Sequence, residues 1–235
     1  MTYYLLPKTN IFSFMYIDFI DDMEQPTNII SYSQTHYVYE LKERIELMEK
    51  DWDIFKKYTN PYEYIHTNIP LKNYCVASYN PLSRSYFKMV EILHTFKLHD
   101  MPRDIRSFHL AEGPGGFIEA LCNIRKNPRD MYYGMTIASD LNDPNVPGWK
   151  KTKNFLQQNK NIYLEYGSDN SGDILNIDNF VYVCEKYGSS MDIVTGDGGF
   201  DFSGDFNLQE ANISKLLFAQ VAFGLCLQKK GGSFI

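Results

Sequence analysis

The stretch that decides the fold is Ala111-Glu112-Gly113-Pro114-Gly115-Gly116-Phe117. An apolar run over residues 108–111 precedes it, and a helical pattern follows it. A glycine cluster between a strand and a helix lets the backbone approach a ligand closely, because no Cβ is in the way. The start of the helix would also present free N–H groups. The stretch therefore predicts a nucleotide-type binding turn, without fixing which nucleotide or which chemistry.

Strand and helix patterns alternate on both sides of this turn. Strand-like runs occupy residues 107–111, 132–138, 161–166, 191–195 and 231–235, and helical patterns occupy residues 117–124, 178–187 and 208–227. Such alternation predicts an α/β domain with a parallel sheet and helices on both of its faces. A ligand then binds at the carboxyl ends of the strands.

The N-terminal third of the chain has a different pattern. Apolar residues recur at spacings of three or four over residues 33–58, which predicts one helix there, and a second helix is predicted over residues 83–97. Asn80-Pro81 marks a boundary between the two. We therefore predict a mainly helical N-terminal extension over residues 1–80 and a catalytic domain over residues 81–235.

Composition excludes several classes of protein. The net charge of −6 has the wrong sign for a protein that grips nucleic acid over its whole surface, so any RNA contact must be local. The four cysteines are widely separated and form no CxxC pair, which argues against a zinc site and for a reducing compartment. The longest apolar stretches are too short to span a membrane. We expect an intracellular protein that needs no metal.

Acidic residues follow three of the predicted strands. Glu112 lies after the first, Asp140 after the second and Asp197 after the fourth. An acid after the second strand is typical of a carboxylate that accepts hydrogen bonds from ribose hydroxyls, although Asp140 and Asp197 could also be ordinary turn residues. The dinucleotide fingerprint G-x-G-x-x-G is absent, which favours a nucleoside ligand without phosphates.

Four motifs carry a resemblance to a known family. They are Ser83-Arg84-Ser85-Tyr86-Phe87-Lys88, the 111–117 turn, Thr195-Gly196-Asp197-Gly198-Gly199 and Gly231-Gly232-Ser233-Phe234-Ile235. In order and spacing they resemble the FtsJ-like ribose 2′-O-methyltransferases, and most of all the cap-specific mRNA branch. The resemblance implies a Rossmann-like methyltransferase sheet, S-adenosyl-L-methionine as cofactor and methylation of the first transcribed nucleotide of capped mRNA.

The resemblance also implies roles for single residues. Lys88 and Asp197 match the first lysine and the aspartate of the family's catalytic Lys-Asp-Lys-Glu set. Asp140 matches the acid that binds the cofactor ribose. Asp173 matches the acid at the adenine edge, with Asp169 as a nearby alternative. The remaining cofactor-binding candidates belong to the turn itself: Glu112, Gly113, Pro114, Gly115, Gly116 and Phe117. Glu112 is equally well interpreted as a plain acid at a helix N-terminus.

The second lysine and the glutamate of the catalytic set would follow Ile235, so we expect a sheet truncated after its fifth strand. An alternative function is therefore a catalytically incomplete subunit that binds S-adenosylmethionine or RNA in a capping or virion assembly. Expected partners are capped RNA and proteins of the capping machinery. The abundance of Asn, Tyr and Ile suggests an AT-rich genome, possible for a large DNA virus, and a cytoplasmic or virion-associated location.

Overall fold

The structure is a computed structural model that describes residues 31–101, 103–138, 148–199 and 209–235. The chain divides into two compact units between Glu63 and Tyr64. The domain boundary predicted at residue 80 stays a prediction. Within the described ranges, no helix is both long and apolar enough to cross a bilayer.

The first unit contains helices α1 (Tyr32–Glu46) and α2 (Trp52–Thr59), with a short 3-10 turn over Glu49–Asp51 between them. The single helix predicted over residues 33–58 is therefore wrong. Asp51 is the N-cap residue of α2 and has non-helical dihedral angles, φ −108° and ψ 7°. Aspartate is a preferred residue at helix N-caps, although the Asp51 side chain makes no capping hydrogen bond here.

The second unit is a five-stranded parallel sheet with helices between the strands. Its elements in chain order are α3 (Ser85–Thr95), β1 (Arg106–Leu110), α4 (Gly116–Arg125), β2 (Met131–Met135), α5 (Lys153–Gln158), β3 (Ile162–Glu165), α6 (Ile177–Tyr187), β4 (Met191–Gly196), α7 (Gln209–Leu227) and β5 (Gln228–Phe234). The strand order is β3-β2-β1-β4-β5, and all neighbours are parallel. This confirms the predicted α/β architecture. The six-residue helix α5 was not predicted.

Alternation along the strands divides the core into two apolar clusters. Phe108, Tyr133 and Val194 pack with side chains of α6 and α7. Tyr132 and Ile193 directly precede Tyr133 and Val194 in sequence, and they pack with side chains of α3 and α4 instead. Successive side chains of a strand point to opposite faces of its sheet, so the two clusters lie on opposite faces. The predicted helices on both faces are thus confirmed.

A buried ion pair fixes the segment that joins α3 to β1. The side chains of Arg125 and Asp130 are 4% and 0% exposed, and their closest N–O distance is 2.6 Å. Arg125 also donates to the carbonyl oxygens of His99, Met101 and Arg103, while Asp130 accepts from the Ile105 backbone N–H. Because a buried pair is stable only when its remaining hydrogen bonds are satisfied, this network holds the segment in one conformation.

Candidate active site

The 111–117 turn is shaped by its own glutamate. Glu112 Oε1 accepts hydrogen bonds from the backbone N–H groups of Phe117 (2.8 Å) and Ile118 (3.3 Å). The Glu112 backbone N–H donates to the carbonyl oxygen of Met135, which ties the turn to the end of β2. Two of the N–H groups that the sequence led us to expect free at the start of α4, those of Phe117 and Ile118, are therefore satisfied internally. A phosphate would have to compete with a carboxylate that is already in place.

Burial makes Glu112 an unusual acid. Only 8% of the residue is exposed, and burial raises the pKa of its carboxyl to about 8, although the two N–H donors act in the opposite direction. The negative charge of Asp197 contributes to this raised pKa, so the two carboxyl groups are electrostatic neighbours. A cation bound close to both would favour the ionised form of Glu112.

The three glycines of the turn are constrained within the protein itself, Gly113 and Gly116 by close packing and Gly115 by its backbone conformation. A Cβ on Gly116 would lie 2.2 Å from Ser83 Oγ and 2.3 Å from Ser85 Oγ. A Cβ on Gly113 would lie 3.0 Å from the backbone of Gly148. Gly115 has φ +108°, which is strained for any residue with a Cβ. Contact between their backbone and a cofactor stays a prediction.

Lys88 and Asp197 are brought together from distant parts of the chain. Lys88 Nζ donates to Asp197 Oδ2 at 2.5 Å, across 109 positions of sequence. Lys88 belongs to α3, and Asp197 directly follows β4 at the carboxyl edge of the sheet. Their side chains are 55% and 45% exposed, so the pair lies at a surface open to a substrate. Their catalytic roles stay a prediction.

A buried glutamine hydrogen-bonds to the backbone of the turn that carries Asp197. Gly198 N–H donates to Gln220 Oε1 at 2.8 Å, and Gln220 on α7 is 2% exposed. A Cβ on Gly198 would lie 2.6 Å from the Cβ of Ala111, so the turns after β1 and β4 are in direct contact. Sequence reasoning missed Gln220. The available signal was a lone polar residue inside the otherwise apolar run 216–227.

The start of α3 is held by a second buried side chain. Glu119 on α4 accepts from Tyr79 Oη at 2.6 Å and from the Leu82 backbone N–H at 2.8 Å, and it is 4% exposed. These bonds fix the segment that leads directly into α3 and so to Lys88. Sequence reasoning missed Glu119 as well, since a glutamate in the first turn of a helix usually faces solvent.

The loop between β3 and α6 contains both candidate acids for the adenine edge. Asp169 uses both carboxylate oxygens inside the loop, accepting from Ser171 N–H and from Asn176 Nδ2 at 2.8 Å each. Hydrogen bonds, those from Ser171 first, hold the pKa of Asp169 well below its ordinary value. Asp173 accepts from Leu175 N–H through Oδ1 alone, and its Oδ2 has no hydrogen-bond partner among the described residues. This favours Asp173 over Asp169 as the ligand-facing acid.

Two further expectations concern Asp140 and metals. Asp140, the predicted ribose acid, lies outside the described residues. Histidine, cysteine and acidic side chains form no group of three or more that could hold a metal ion in the ranges that the structure describes.

A protein-family model matches the larger part of the sequence. The model of the FtsJ-like methyltransferases matches residues 81–235, about two thirds of the chain. The chain belongs to the FtsJ-like methyltransferase family. The predicted family is thereby confirmed, and the match contains both members of the Lys88–Asp197 pair.

Relatives of this FtsJ-like methyltransferase include cellular and viral proteins. It is 33% identical over 165 residues to cap-specific mRNA (nucleoside-2'-O-)-methyltransferase 2 of Danio rerio. The aligned region covers 65% of this chain and 22% of that protein. It is 27% identical over 174 residues to a probable methyltransferase of African swine fever virus, which covers 66% of this chain and 38% of that protein. The chain thus spans less than half the length of either relative.

Among solved structures, a Plasmodium falciparum protein described as a ribosomal RNA methyltransferase is 18% identical. The superposition covers 65% of this chain and 75% of the Plasmodium falciparum chain, with a TM-score of 0.44.

Proposed function

We propose that this FtsJ-like domain is an S-adenosylmethionine-dependent RNA ribose 2′-O-methyltransferase that acts on the first transcribed nucleotide of capped mRNA. The observation that carries the proposal is the hydrogen-bonded pair of Lys88 and Asp197 beside the 111–117 turn. Two distant segments place a cation donor and a carboxylate together at the edge where parallel sheets bind ligands.

The acceptor groups of the site fit the cofactor. S-adenosylmethionine carries two positive centres, a sulfonium and an ammonium, and it has no phosphate. The site offers two neighbouring carboxyl groups, Glu112 and Asp197, and a helix N-terminus whose N–H groups of Phe117 and Ile118 are already satisfied. Such a site suits a cationic nucleoside better than a nucleotide. Asp173 would accept from the adenine amino group, and Asp140 would hold the ribose.

The residues of the pair would act on the substrate hydroxyl. S-adenosylmethionine would supply the methyl group, whose bond to sulfur is exchanged for a bond to the ribose 2′-oxygen, and the hydroxyl proton would leave to solvent water at the half-exposed pair. Lys88 is already hydrogen-bonded to Asp197, so its fixed ammonium can orient the 2′-oxygen and stabilise the negative charge that develops there. We assign it this positioning and electrostatic role, with Asp197 holding its side chain in place.

The RNA target is inferred from the relatives. Cap-specific mRNA methyltransferases are among the similar proteins, which supports capped mRNA as the substrate. The net charge of −6 agrees with local contacts to a short RNA end better than with a long electrostatic track.

The test measures methyl transfer from radiolabelled S-adenosylmethionine to capped and uncapped RNA by the full-length protein, with mapping of the methylated position. Asp197→Ala and Lys88→Met should each lower the rate at least about 100-fold, since removal of a single electrostatic donor costs about that much. The matched controls, Asp178→Ala and Lys160→Met, change exposed residues outside the site and should keep the wild-type rate.

Three results would argue against the proposal. Wild-type rates in Asp197→Ala would remove its catalytic basis. Equal methylation of uncapped RNA would remove the cap specificity. A wild-type protein that binds the cofactor but methylates neither RNA would support the alternative of a binding subunit.

A further inference from the structure

One buried asparagine organises the whole loop between β3 and α6. Asn179 lies on α6, is 0% exposed and directs both ends of its amide into residues 168–173. Its Oδ1 accepts from Ser168 N–H (2.8 Å), Ser168 Oγ (3.1 Å) and Asp169 N–H (3.3 Å). Its Nδ2 donates to Ser171 Oγ (3.1 Å) and to the carbonyl oxygen of Asp173 (3.0 Å).

These contacts satisfy the amide on both sides and fix its orientation. Oδ1 accepts from the first part of the loop, and Nδ2 donates to the second part, so a single side chain sets the distance between them. The serine hydroxyl that accepts from Nδ2 also accepts from the Asp173 backbone N–H at 3.0 Å. Asp173 is therefore held on both sides of its Cα, through its N–H and through its carbonyl.

The same loop is pressed against the end of β2. Ser171 carbonyl oxygen accepts from Ala138 N–H at 2.6 Å. Gly172 has φ +68°, and a Cβ there would lie 1.9 Å from the carbonyl oxygen of Thr136. Thr136 and Ala138 lie within four residues of Asp140 in sequence. The loop is thus anchored to the chain segment that leads to the predicted ribose acid.

We propose that Asn179 is the positioning residue that gives the site its preference for adenine, by holding Asp173 at the adenine edge of the cofactor. The inference rests on the proposed function, since it concerns the same cofactor. Asn179 itself is buried and does not contact the ligand. Its effect is on where the Asp173 carboxylate lies, because an acceptor that is free to move selects poorly between an adenine amino group and other substituents.

The test compares two probes by calorimetry on the full-length protein. S-adenosylhomocysteine carries the adenine amino group, and S-inosylhomocysteine carries an oxygen in its place. The wild type should bind the adenosyl compound at least about tenfold more tightly, the value of one hydrogen bond to a charged group. Asn179→Ala should reduce that ratio towards one. Asp173→Ala should do the same, since it removes the acceptor itself.

A matched control separates positioning from general loss of stability. Ser107→Ala also removes a hydrogen bond of a 0% exposed residue, to His109 Nε2 at 2.8 Å, but it lies in β1 away from the loop. It should lower the melting temperature and leave the adenosyl preference at its wild-type value. Should Asn179→Ala fail to fold, Ser171→Ala removes a single partner of Asn179 and should lower the preference part of the way.

The outcomes distinguish the two proposals. A wild type that binds neither compound would refute the proposed function. A wild type that binds the adenosyl compound preferentially, with an unchanged preference in Asn179→Ala and Ser171→Ala, would refute the role of Asn179 and leave the proposed function intact. Equal binding of both compounds by the wild type would also refute that role.

Discussion

Replacement of Glu119 by alanine tests whether a buried carboxylate positions Lys88. The side chain accepts from Tyr79 Oη at 2.6 Å and from Leu82 N–H at 2.8 Å, and these two donors lie on the segment that enters α3. Alanine removes both bonds and leaves the Leu82 N–H without an acceptor. The rest of α4 is unchanged, so the effect should be confined to the docking of that segment.

The size of the effect follows from the type of bond. A hydrogen bond to a charged group contributes about 1.5–3 kcal/mol, and a buried donor left unsatisfied costs about 1–3 kcal/mol. We expect Glu119→Ala to lower the free energy of unfolding by about 3 kcal/mol, which a domain of ordinary stability survives. Tyr79→Phe removes one of the two bonds and should cost about 1.5 kcal/mol, the lower end of that range, because Tyr79 is partly exposed. Glu91→Ala, an exposed change on α3, should be neutral.

Denaturant unfolding measures these differences, and hydrogen exchange locates them. The Leu82 amide is itself the donor, so its exchange should accelerate about 100-fold in Glu119→Ala, the equivalent of about 3 kcal/mol. The rate of methyl transfer should fall as Lys88 loses its fixed position. Stability within about 0.5 kcal/mol of the wild type, or unchanged exchange over residues 82–88, would refute the reasoning.

Two further predictions concern the pH dependence of stability and the packing of the turn. Burial lowers the pKa of His109 from 6.5 to about 3. The unfolded chain therefore takes up a proton that the native state excludes, and stability is lost as the pH falls from 6.5 to 3. Burial raises the pKa of Glu112 from 4.5 to about 8, so the native state holds a proton that the unfolded chain releases, and stability is lost as the pH rises from 4.5 to 8. The free energy of unfolding, measured by denaturation at a series of pH values, should depend less steeply on pH below 4.5 in His109→Asn and above 6.5 in Glu112→Gln. Unchanged slopes of the free energy against pH would contradict the two assignments. Gly116→Ala should lower the free energy of unfolding by about 1–3 kcal/mol through overpacking, since the added Cβ meets two serine hydroxyls. A Cβ on Gly199 meets no described atom within 4 Å, so Gly199→Ala should be nearly neutral in the same unfolding assay.

The sheet could be predicted because its signal is local. Apolar runs of the right length alternate with helical patterns, and each strand was located within a few residues of its observed bounds, with the largest displacements at the end of β2 and the start of β5. The helix predicted over residues 33–58 failed for the opposite reason. The apolar spacing continues through residue 51, but α1 already ends at Glu46 and a 3-10 turn follows, an interruption that periodicity does not detect.

The candidate site was predicted only in part, since sequence identifies residue types and not their partners. Glu112 illustrates the difference. Its place in a glycine turn suggested ligand contact or a helix terminus equally, and the structure shows one of its oxygens capping α4 while the residue lies beside Asp197. Two of the N–H groups predicted to be free, those of Phe117 and Ile118, are the ones that it satisfies. The sequence left both interpretations of Glu112 open, and only the structure shows that its side chain reaches the backbone of the helix that follows.

Three residues that sequence reasoning missed share one physical role. Glu119, Asn179 and Gln220 are each at most 4% exposed, and each accepts a backbone hydrogen bond from one of the three segments that line the site. They belong to α4, α6 and α7, which pack on the two faces of the sheet. In a helical pattern a polar residue is assigned to the solvent face, so such residues are misplaced by periodicity alone.

A hydrogen bond suits this role better than an apolar contact. Apolar packing is not directional, so it stabilises a loop without fixing its position to a few tenths of an ångström. A buried donor or acceptor left without its partner costs about 1–3 kcal/mol, so the loop has one favourable position and a steep penalty elsewhere. The side chains that would meet substrate, such as Lys88 and Asp197, can then stay half-exposed and still be held within reach of a reacting atom. The precision of the site therefore resides in the buried residues beneath it, which is where changes that alter specificity without touching the ligand should be sought.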